Sequence, residues 1–132
     1  MTNQAGLAIG WLFLGGSLLA GSQAWAAGNA TKGQQVFQSQ CASCHSTSPG
    51  VTLFGPSLAD VYGKPAPSVK GYAYSPALMK AHLTWTPAAL NKFLTSPQTD
   101  VPGTKMPYAG LSDPTQRADV IAYLAQLSQT HK

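Results

Sequence analysis

Cys41-Ala42-Ser43-Cys44-His45 is the stretch on which the organisation of this chain depends, and it contains both cysteines of the sequence. Cysteines spaced in this way at the end of a helix face the same side, with the histidine next to them. In this pattern two thioether bonds attach a haem through its vinyl groups while the imidazole ligates the iron. We therefore predict that Cys41 and Cys44 bind one covalent haem c and that His45 is an iron ligand.

The same two cysteines allow other chemistry. An exported protein with an even number of cysteines could join them as a disulfide, and a thioredoxin-like dithiol has the same spacing. A thioredoxin fold requires alternating strands and helices around the motif, and that pattern is absent here. A zinc site would need a second pair of ligands at zinc-site spacing, which the sequence lacks. These observations favour haem, with the disulfide and the dithiol as alternatives.

The first part of the chain is apolar and uncharged. The charged side chains all lie at or after Lys32, and an apolar run ends in the small-residue segment Ala24-Trp25-Ala26. This pattern is typical of a secretory signal, although the usual Lys or Arg before the apolar run is missing. We predict a signal peptide at 1–26, a folded domain at 27–132 and a periplasmic location. An uncut leader would leave the uncharged stretch 5–27 as a membrane anchor, because roughly 20 such residues span a bilayer.

The net charge of +4 belongs entirely to the predicted domain. Partners with acidic patches suit such a surface. Nucleic acid is not expected as a partner, because the basic residues are scattered singly and no Lys/Arg run or binding motif accompanies them. A domain of about 105 residues buries a modest core, and a large apolar cofactor would add the stabilisation that it needs.

The patterns after the leader are helical. In Ala30–Gln40 the apolar positions share a face with Gly33, which would let another backbone approach closely. A cap residue followed by proline begins a helix at Thr86-Pro87 and again at Asp113-Pro114. Between the first two helices, 46–74 is rich in Gly, Pro and Ser, so we predict a loop wrapped around a ligand. Strand-like alternation is too short to build a sheet, so the predicted fold is all-α.

An electron-transfer haem needs a sixth iron ligand, and four side chains are candidates: Met79, Met106, His82 and His131. A thioether sulfur favours Fe(II) and raises the reduction potential relative to a second imidazole. Met106 lies in the turn-rich segment 102–107, which can present a side chain without helical or strand constraints. We expect Met79 to fill the core and both histidines to lie at the surface. Met106 is therefore the predicted ligand.

The chain after the leader resembles class I cytochromes c of the mitochondrial and bacterial periplasmic type over nearly its whole length. The segments that carry the resemblance, in order, are Gly33 and Phe37 ahead of CASCH, FGPSL at 54–58, GYAYS at 71–75, Trp85, PGTKM at 102–106 and RADVIAYL at 117–124. The resemblance implies crossed N- and C-terminal helices, with short helices and long loops around one haem. At the crossing, Gly33 and Phe37 would pack against Val120 and Tyr123.

The resemblance also implies roles for side chains around the haem. The Pro56 carbonyl would accept the proton of His45 and fix its ring. The residues that would hold the buried haem propionates are Tyr74, Trp85 and Thr104. From the residues alone, Tyr74 and Trp85 would be assigned to the core.

Several positions depart from the family. Phe93 and Leu78 stand where a tyrosine and an asparagine are common, and Lys64 stands where an arginine usually faces a propionate. These changes affect the reduction potential and the iron–sulfur bond, because polar donors near the haem tune both. Of the lysines that ring the haem edge in the family, Lys105 is clearly present, so docking would depend more on apolar contact near Tyr108 and Pro107.

The implied function is that of a monomeric single-electron carrier, not an enzyme. Its partners would be redox proteins with acidic or apolar docking patches, such as a quinol-oxidising complex or periplasmic dehydrogenase on one side and an oxidase on the other. Two alternatives stay open. One is a haem subunit of a dehydrogenase or oxidase complex, and the other is a haem peroxidase or gas sensor with an easily vacated sixth position.

Overall fold

The structure, a computed structural model, describes Met1 and residues 27–131. The predicted signal peptide therefore lies outside the described residues, apart from Met1. The described helices are α1 (Ala30–Gln40), α2 (Pro76–Lys80), α3 (Pro87–Thr95), α4 (Pro97–Asp100) and α5 (Pro114–Thr130). Within these ranges the extended backbone forms one isolated bridge, Pro65 with Thr84, and no longer strand. The prediction of an all-α fold is confirmed. No described helix has both the length and the apolar character needed to cross a membrane.

Local capping explains where the two long helices begin. The side chain of Asn29 accepts a hydrogen bond from the Lys32 amide at the start of α1. Asp113 accepts from the amide of Thr115 at the start of α5, where proline occupies the first turn. Each cap satisfies a backbone donor that a helix start leaves without a partner. The predicted start of α5 at Asp113-Pro114 is confirmed.

Helices α1 and α5 cross at Gly33. A Cβ atom at this position would collide with the Asp119 carbonyl, so the two backbones touch at a distance that only glycine permits. One turn further, Phe37 is 2% exposed and its ring centroid lies 5.6 Å from that of Tyr123. Phe37, Val120 and Tyr123 belong to one buried cluster. The predicted helix crossing is confirmed.

The larger part of the core joins α3 to α5 and to the loops. Leu90 and Phe93 of α3 are buried with Ile121 and Leu124 of α5. The loop residue Trp85 packs edge-on against Phe93, with ring centroids 5.0 Å apart. This core places one end of α3 and the middle of α5 around a common space, which the loop 46–74 closes from the other side.

The resemblance implied short helices, but the positions of α2 and α4 were not predicted from the sequence. Proline at the first turn begins both α2 and α4, and the Ser75 hydroxyl caps α2 by accepting from the Leu78 amide. Helices of five and four residues are too short to produce a recognisable apolar period. Capping and proline were the available signals.

The expectation that Met79 fills the core is wrong. Its side chain is 51% exposed, because the single turn of α2 buries Leu78 and directs the next residue to solvent. The two histidines that were assigned to the surface, His82 and His131, are exposed.

Candidate cofactor site

A cavity of about 770 Å³ opens between the end of α1, α3, α5 and the surrounding loops. Its volume lies within the range of ligand sites in proteins, and its wall is largely apolar. The eight site residues predicted from the sequence all line it: Cys41, Cys44, His45, Pro56, Tyr74, Trp85, Thr104 and Met106. The structure therefore brings together residues that lie up to 65 positions apart in the chain, from Cys41 to Met106.

The end of α1 positions the two cysteines. The amide of Cys41 donates to the Phe37 carbonyl at 2.8 Å, and the amides of Cys44 and His45 both donate to the Cys41 carbonyl at 3.0 Å. The resulting turn directs all three side chains toward the cavity. The two thiols are free and not joined to each other. Burial, with a smaller contribution from the neighbouring Cys44, raises the pKa of the Cys41 thiol to about 11.

The imidazole of His45 has a defined orientation. Its Nδ1 atom lies 2.8 Å from the Pro56 carbonyl oxygen. Because a carbonyl only accepts, Nδ1 carries the proton and the lone pair is on Nε2. Burial lowers the pKa of His45, and the hydrogen bond to Pro56 opposes this shift. The ring is thus kept neutral, which is the form that ligates a metal.

Gly55 makes room for this ring, a role that the sequence did not reveal. A Cβ atom there would lie 2.6 Å from Nδ1 and 2.9 Å from Nε2 of His45. The Gly55 amide also donates to the Cys44 carbonyl at 2.8 Å. Gly55 therefore both hydrogen-bonds to the cysteine turn and lies directly against the His45 ring. The motif FGPSL was the available signal, but its glycine could not be assigned a contact without the tertiary structure.

Met106 enters the cavity from the loop that follows α4. The Thr104 amide donates to the Val101 carbonyl at 3.0 Å, and Gly103 has a φ of 87°, which confirms the turn predicted at Pro102-Gly103. The Met106 amide lies 3.4 Å from the Thr104 hydroxyl oxygen. Of the four candidates for a sixth ligand, Met106 lines the cavity, whereas Met79, His82 and His131 do not.

The three polar-tipped residues assigned to the propionates lie in the cavity wall. The hydroxyl oxygen of Tyr74 accepts from the Val69 amide at 3.0 Å. Burial raises the pKa of Tyr74, and the bond from Val69 partly offsets this. Trp85 and Thr104 are both buried.

Two of the three family departures line the same wall. Phe93 and Leu78 are buried there, so their apolar side chains face the space where the family commonly has polar groups. Lys64 does not: it is exposed and lines no part of the cavity. The expectation that Lys64 stands in for a propionate-facing arginine stays a prediction.

The rim of the cavity is mixed in character. Lys105 donates from Nζ to the Ala73 carbonyl at 2.9 Å. The Tyr108 hydroxyl lies 3.2 Å from Oε1 of Gln40. The most exposed aromatic side chain there is Phe54, at 86%, which the sequence had indicated only as part of a motif. An exposed aromatic ring on a site's rim is a frequent anchor for a partner protein.

These features fit a covalently bound haem. Two thiols, an imidazole with its lone pair free and a thioether line one apolar space of suitable volume. Zinc fits less well, because among the described residues no group of three or more His, Cys, Asp or Glu side chains has an arrangement that could hold a metal ion. The donor set and the apolar wall match the needs of a haem c iron.

Comparison with known proteins gives the same result. The cytochrome c family model matches residues 30–128. Cytochrome c of Euglena viridis is 45% identical over 100 residues, which cover 76% of this chain and 98% of the relative. Cytochrome c2 of Rhodomicrobium vannielii is 46% identical over 116 residues, covering 85% and 90%.

A solved structure has the same fold. Cytochrome cH from Methylobacterium extorquens superposes with a TM-score of 0.70 at 42% identity, covering 75% of this chain and 99% of that one. The chain therefore belongs to the class I c-type cytochromes and is an electron carrier with a covalently attached haem c.

Proposed function

We propose that this protein is a monomeric, exported single-electron carrier in which His45 and Met106 would hold the iron of haem c in both oxidation states. The observation that carries the proposal is the His45 ring, held by the Pro56 carbonyl in the tautomer that leaves Nε2 free. When bound, haem c supplies a one-electron Fe(III)/Fe(II) couple. The role of the chain is to keep both ligands and the cavity wall in place during the change of charge.

Several side chains perform this role. The hydrogen bond to Pro56 increases the basicity of His45 and fixes its plane, as partners of metal-bound histidines generally do. The thioether of Met106 favours the reduced state. Buried apolar residues such as Phe93 and Leu78 exclude water from the same space. A dry, rigid site needs little rearrangement when an electron arrives, so transfer is fast.

Cys41 and Cys44 form the thioether bonds in this proposal, and Tyr74, Trp85 and Thr104 hold the propionates. The geometry supports the second assignment because the three residues line one cavity and carry hydrogen-bonding tips. A buried carboxylate is costly without such partners.

Redox partners dock over the rim of the cavity. Phe54, Pro107 and Tyr108 offer apolar contact there, and Lys105 offers a positive charge that suits an acidic residue on the partner. An interface of this kind favours a weak and rapidly exchanging complex. The donors and acceptors are a dehydrogenase or quinol-oxidising complex and an oxidase, in the periplasm, after removal of residues 1–26. Mass spectrometry of the native protein then finds Ala27 at the N-terminus.

The ligation is tested with two methionine variants. Met106→Ala keeps the covalent haem but loses the low-spin, sulfur-ligated spectrum, whereas Met79→Ala, the matched control on the exposed face of α2, leaves it unchanged. An unchanged spectrum in Met106→Ala contradicts the axial assignment. Rapid binding of carbon monoxide to the reduced wild-type protein at neutral pH favours a peroxidase or gas sensor, because both need a vacant sixth position.

A further inference from the structure

Helix α4 is a short but firmly anchored platform beside the Met106 loop. Pro97 at its start is among the most completely buried side chains of the described structure. At its end, Asp100 is 5% exposed on its side chain and forms a 2.7 Å ion pair with Lys92 of α3. Pro97 therefore holds the start of α4 in the core, and the ion pair with the exposed Lys92 holds its end against α3, so the backbone of Gln98 is fixed between them.

The Gln98 side chain connects this platform to the loop. Its Nε2 atom donates to the Thr104 carbonyl at 3.0 Å and to the Met106 carbonyl, also at 3.0 Å. Carbonyl oxygens only accept hydrogen bonds, so the amide nitrogen is the one group of this side chain that satisfies both. The two amide protons of Gln98 are therefore both used, one on the Thr104 carbonyl and one on the Met106 carbonyl.

The other hydrogen bonds of the loop do not join the Met106 backbone to another element, although the Thr104 amide donates to the Val101 carbonyl at 3.0 Å at the end of α4. The Met106 amide reaches the Thr104 hydroxyl at 3.4 Å, a bond within the loop itself. Lys105 Nζ attaches the loop to the Ala73 carbonyl across the rim. The two bonds from Gln98, which is itself exposed, join the backbone at both Thr104 and Met106 to α4.

We propose that Gln98 is a positioning residue that holds the Met106 loop on α4 and so sets how readily the Met106 sulfur yields its place to another ligand. This inference rests on the proposed ligation by Met106. It concerns the exchange of the ligand and not its identity. Removing Gln98 leaves the sulfur bound at rest but makes its displacement easier.

Imidazole competition measures this property. Imidazole is added to the oxidised holoprotein, and loss of the sulfur charge-transfer band gives its apparent affinity. In Gln98→Ala we expect the affinity to rise about fivefold, the factor for a net loss of about 1 kcal/mol of loop hydrogen bonding. Gln98→Glu preserves size but offers acceptors toward two carbonyl oxygens, so it gives at least the same increase. Gln35→Ala, on the exposed face of α1, is the matched control and leaves the affinity unchanged.

The outcomes separate this inference from the proposed function. Before imidazole is added, the wild type and both Gln98 variants should show the charge-transfer band. Met106→Ala should lack it. Suppose that this pattern is seen but that the apparent imidazole affinity of both Gln98 variants lies within twofold of that of Gln35→Ala. The positioning role of Gln98 is then overturned, while the ligation by Met106 stands. If the wild-type protein lacks the charge-transfer band, both the proposed ligation by Met106 and the positioning role of Gln98 are overturned. Guanidinium unfolding of each variant is measured alongside, and a fivefold affinity change with a loss of unfolding free energy no larger than about 1 kcal/mol supports a local role.

Discussion

Gly55→Ala is the substitution whose effect follows most directly from the geometry of the site. The added Cβ would lie 2.6 Å from Nδ1 of His45, whereas ordinary van der Waals contact begins at 3.4 Å. The Cε1 atom of the ring would lie closer still, so the ring must move by roughly 1 Å to relieve the clash. Because Nδ1 is 2.8 Å from the Pro56 oxygen, a displacement of that size breaks or greatly weakens the hydrogen bond.

The expected loss of stability has two parts. Overpacking a filled site costs about 1–3 kcal/mol, and the lost hydrogen bond adds about 1 kcal/mol. We therefore expect the free energy of unfolding to fall by roughly 2–4 kcal/mol. The reduction potential should rise, because an imidazole without its acceptor is less basic and stabilises Fe(III) less. The expected rise is about 40 mV, the one-electron equivalent of the lost hydrogen bond.

Two measurements on the holoprotein test this expectation: guanidinium unfolding and redox titration. Gly50→Ala is the control, since Gly50 has a φ of 73° and open space around it. Backbone strain at Gly50 costs about 1–2 kcal/mol. It leaves the reduction potential unchanged, because a Cβ atom there would touch no other residue. If Gly55→Ala loses no more stability than Gly50→Ala and keeps the wild-type potential, the steric argument about His45 is refuted.

Further predictions concern the helix crossing, a buried cation and the cofactor itself. Gly33→Ala places a methyl group against the Asp119 carbonyl and should lower the free energy of unfolding by about 3 kcal/mol, measured by denaturant titration. Arg117 is buried and donates three hydrogen bonds to neutral acceptors, so Arg117→Met should cost about 3 kcal/mol and leave the visible spectrum unchanged. Cys41→Ala/Cys44→Ala protein freed of haem should lose its helical circular dichroism at 25 °C. Without haem the largely apolar wall of the cavity faces water, and a domain of this size has too small a core to offset that loss.

Features with local causes could be predicted from the sequence. The starts of α3 and α5 follow from a capping side chain and a proline at adjacent positions, Thr86-Pro87 and Asp113-Pro114. The CASCH motif indicated its chemistry because the two cysteines and the histidine lie within one turn of chain. Met106 was separated from the other candidates by the turn residues around it.

Features with tertiary causes could not be predicted from the sequence. The role of Gly55 depends on where the His45 ring lies, and that of Gln98 on how α4 approaches the Met106 loop. Met79 was assigned to the core because apolar side chains are usually buried, but the direction of a one-turn helix is set by its neighbours. Arg117 forms its bonds with Asn91 and with carbonyls of the chain before α5, which no periodicity indicates.

The central claim is that His45 and Met106 hold the iron of an electron carrier in both oxidation states. Visible spectra of the purified wild-type holoprotein, oxidised and then reduced, test it most directly. We predict a weak long-wavelength sulfur charge-transfer band in the oxidised protein and sharp c-type bands after reduction. Broad reduced bands together with a missing charge-transfer band would contradict the claim, because the sixth position would then be open or filled by another ligand.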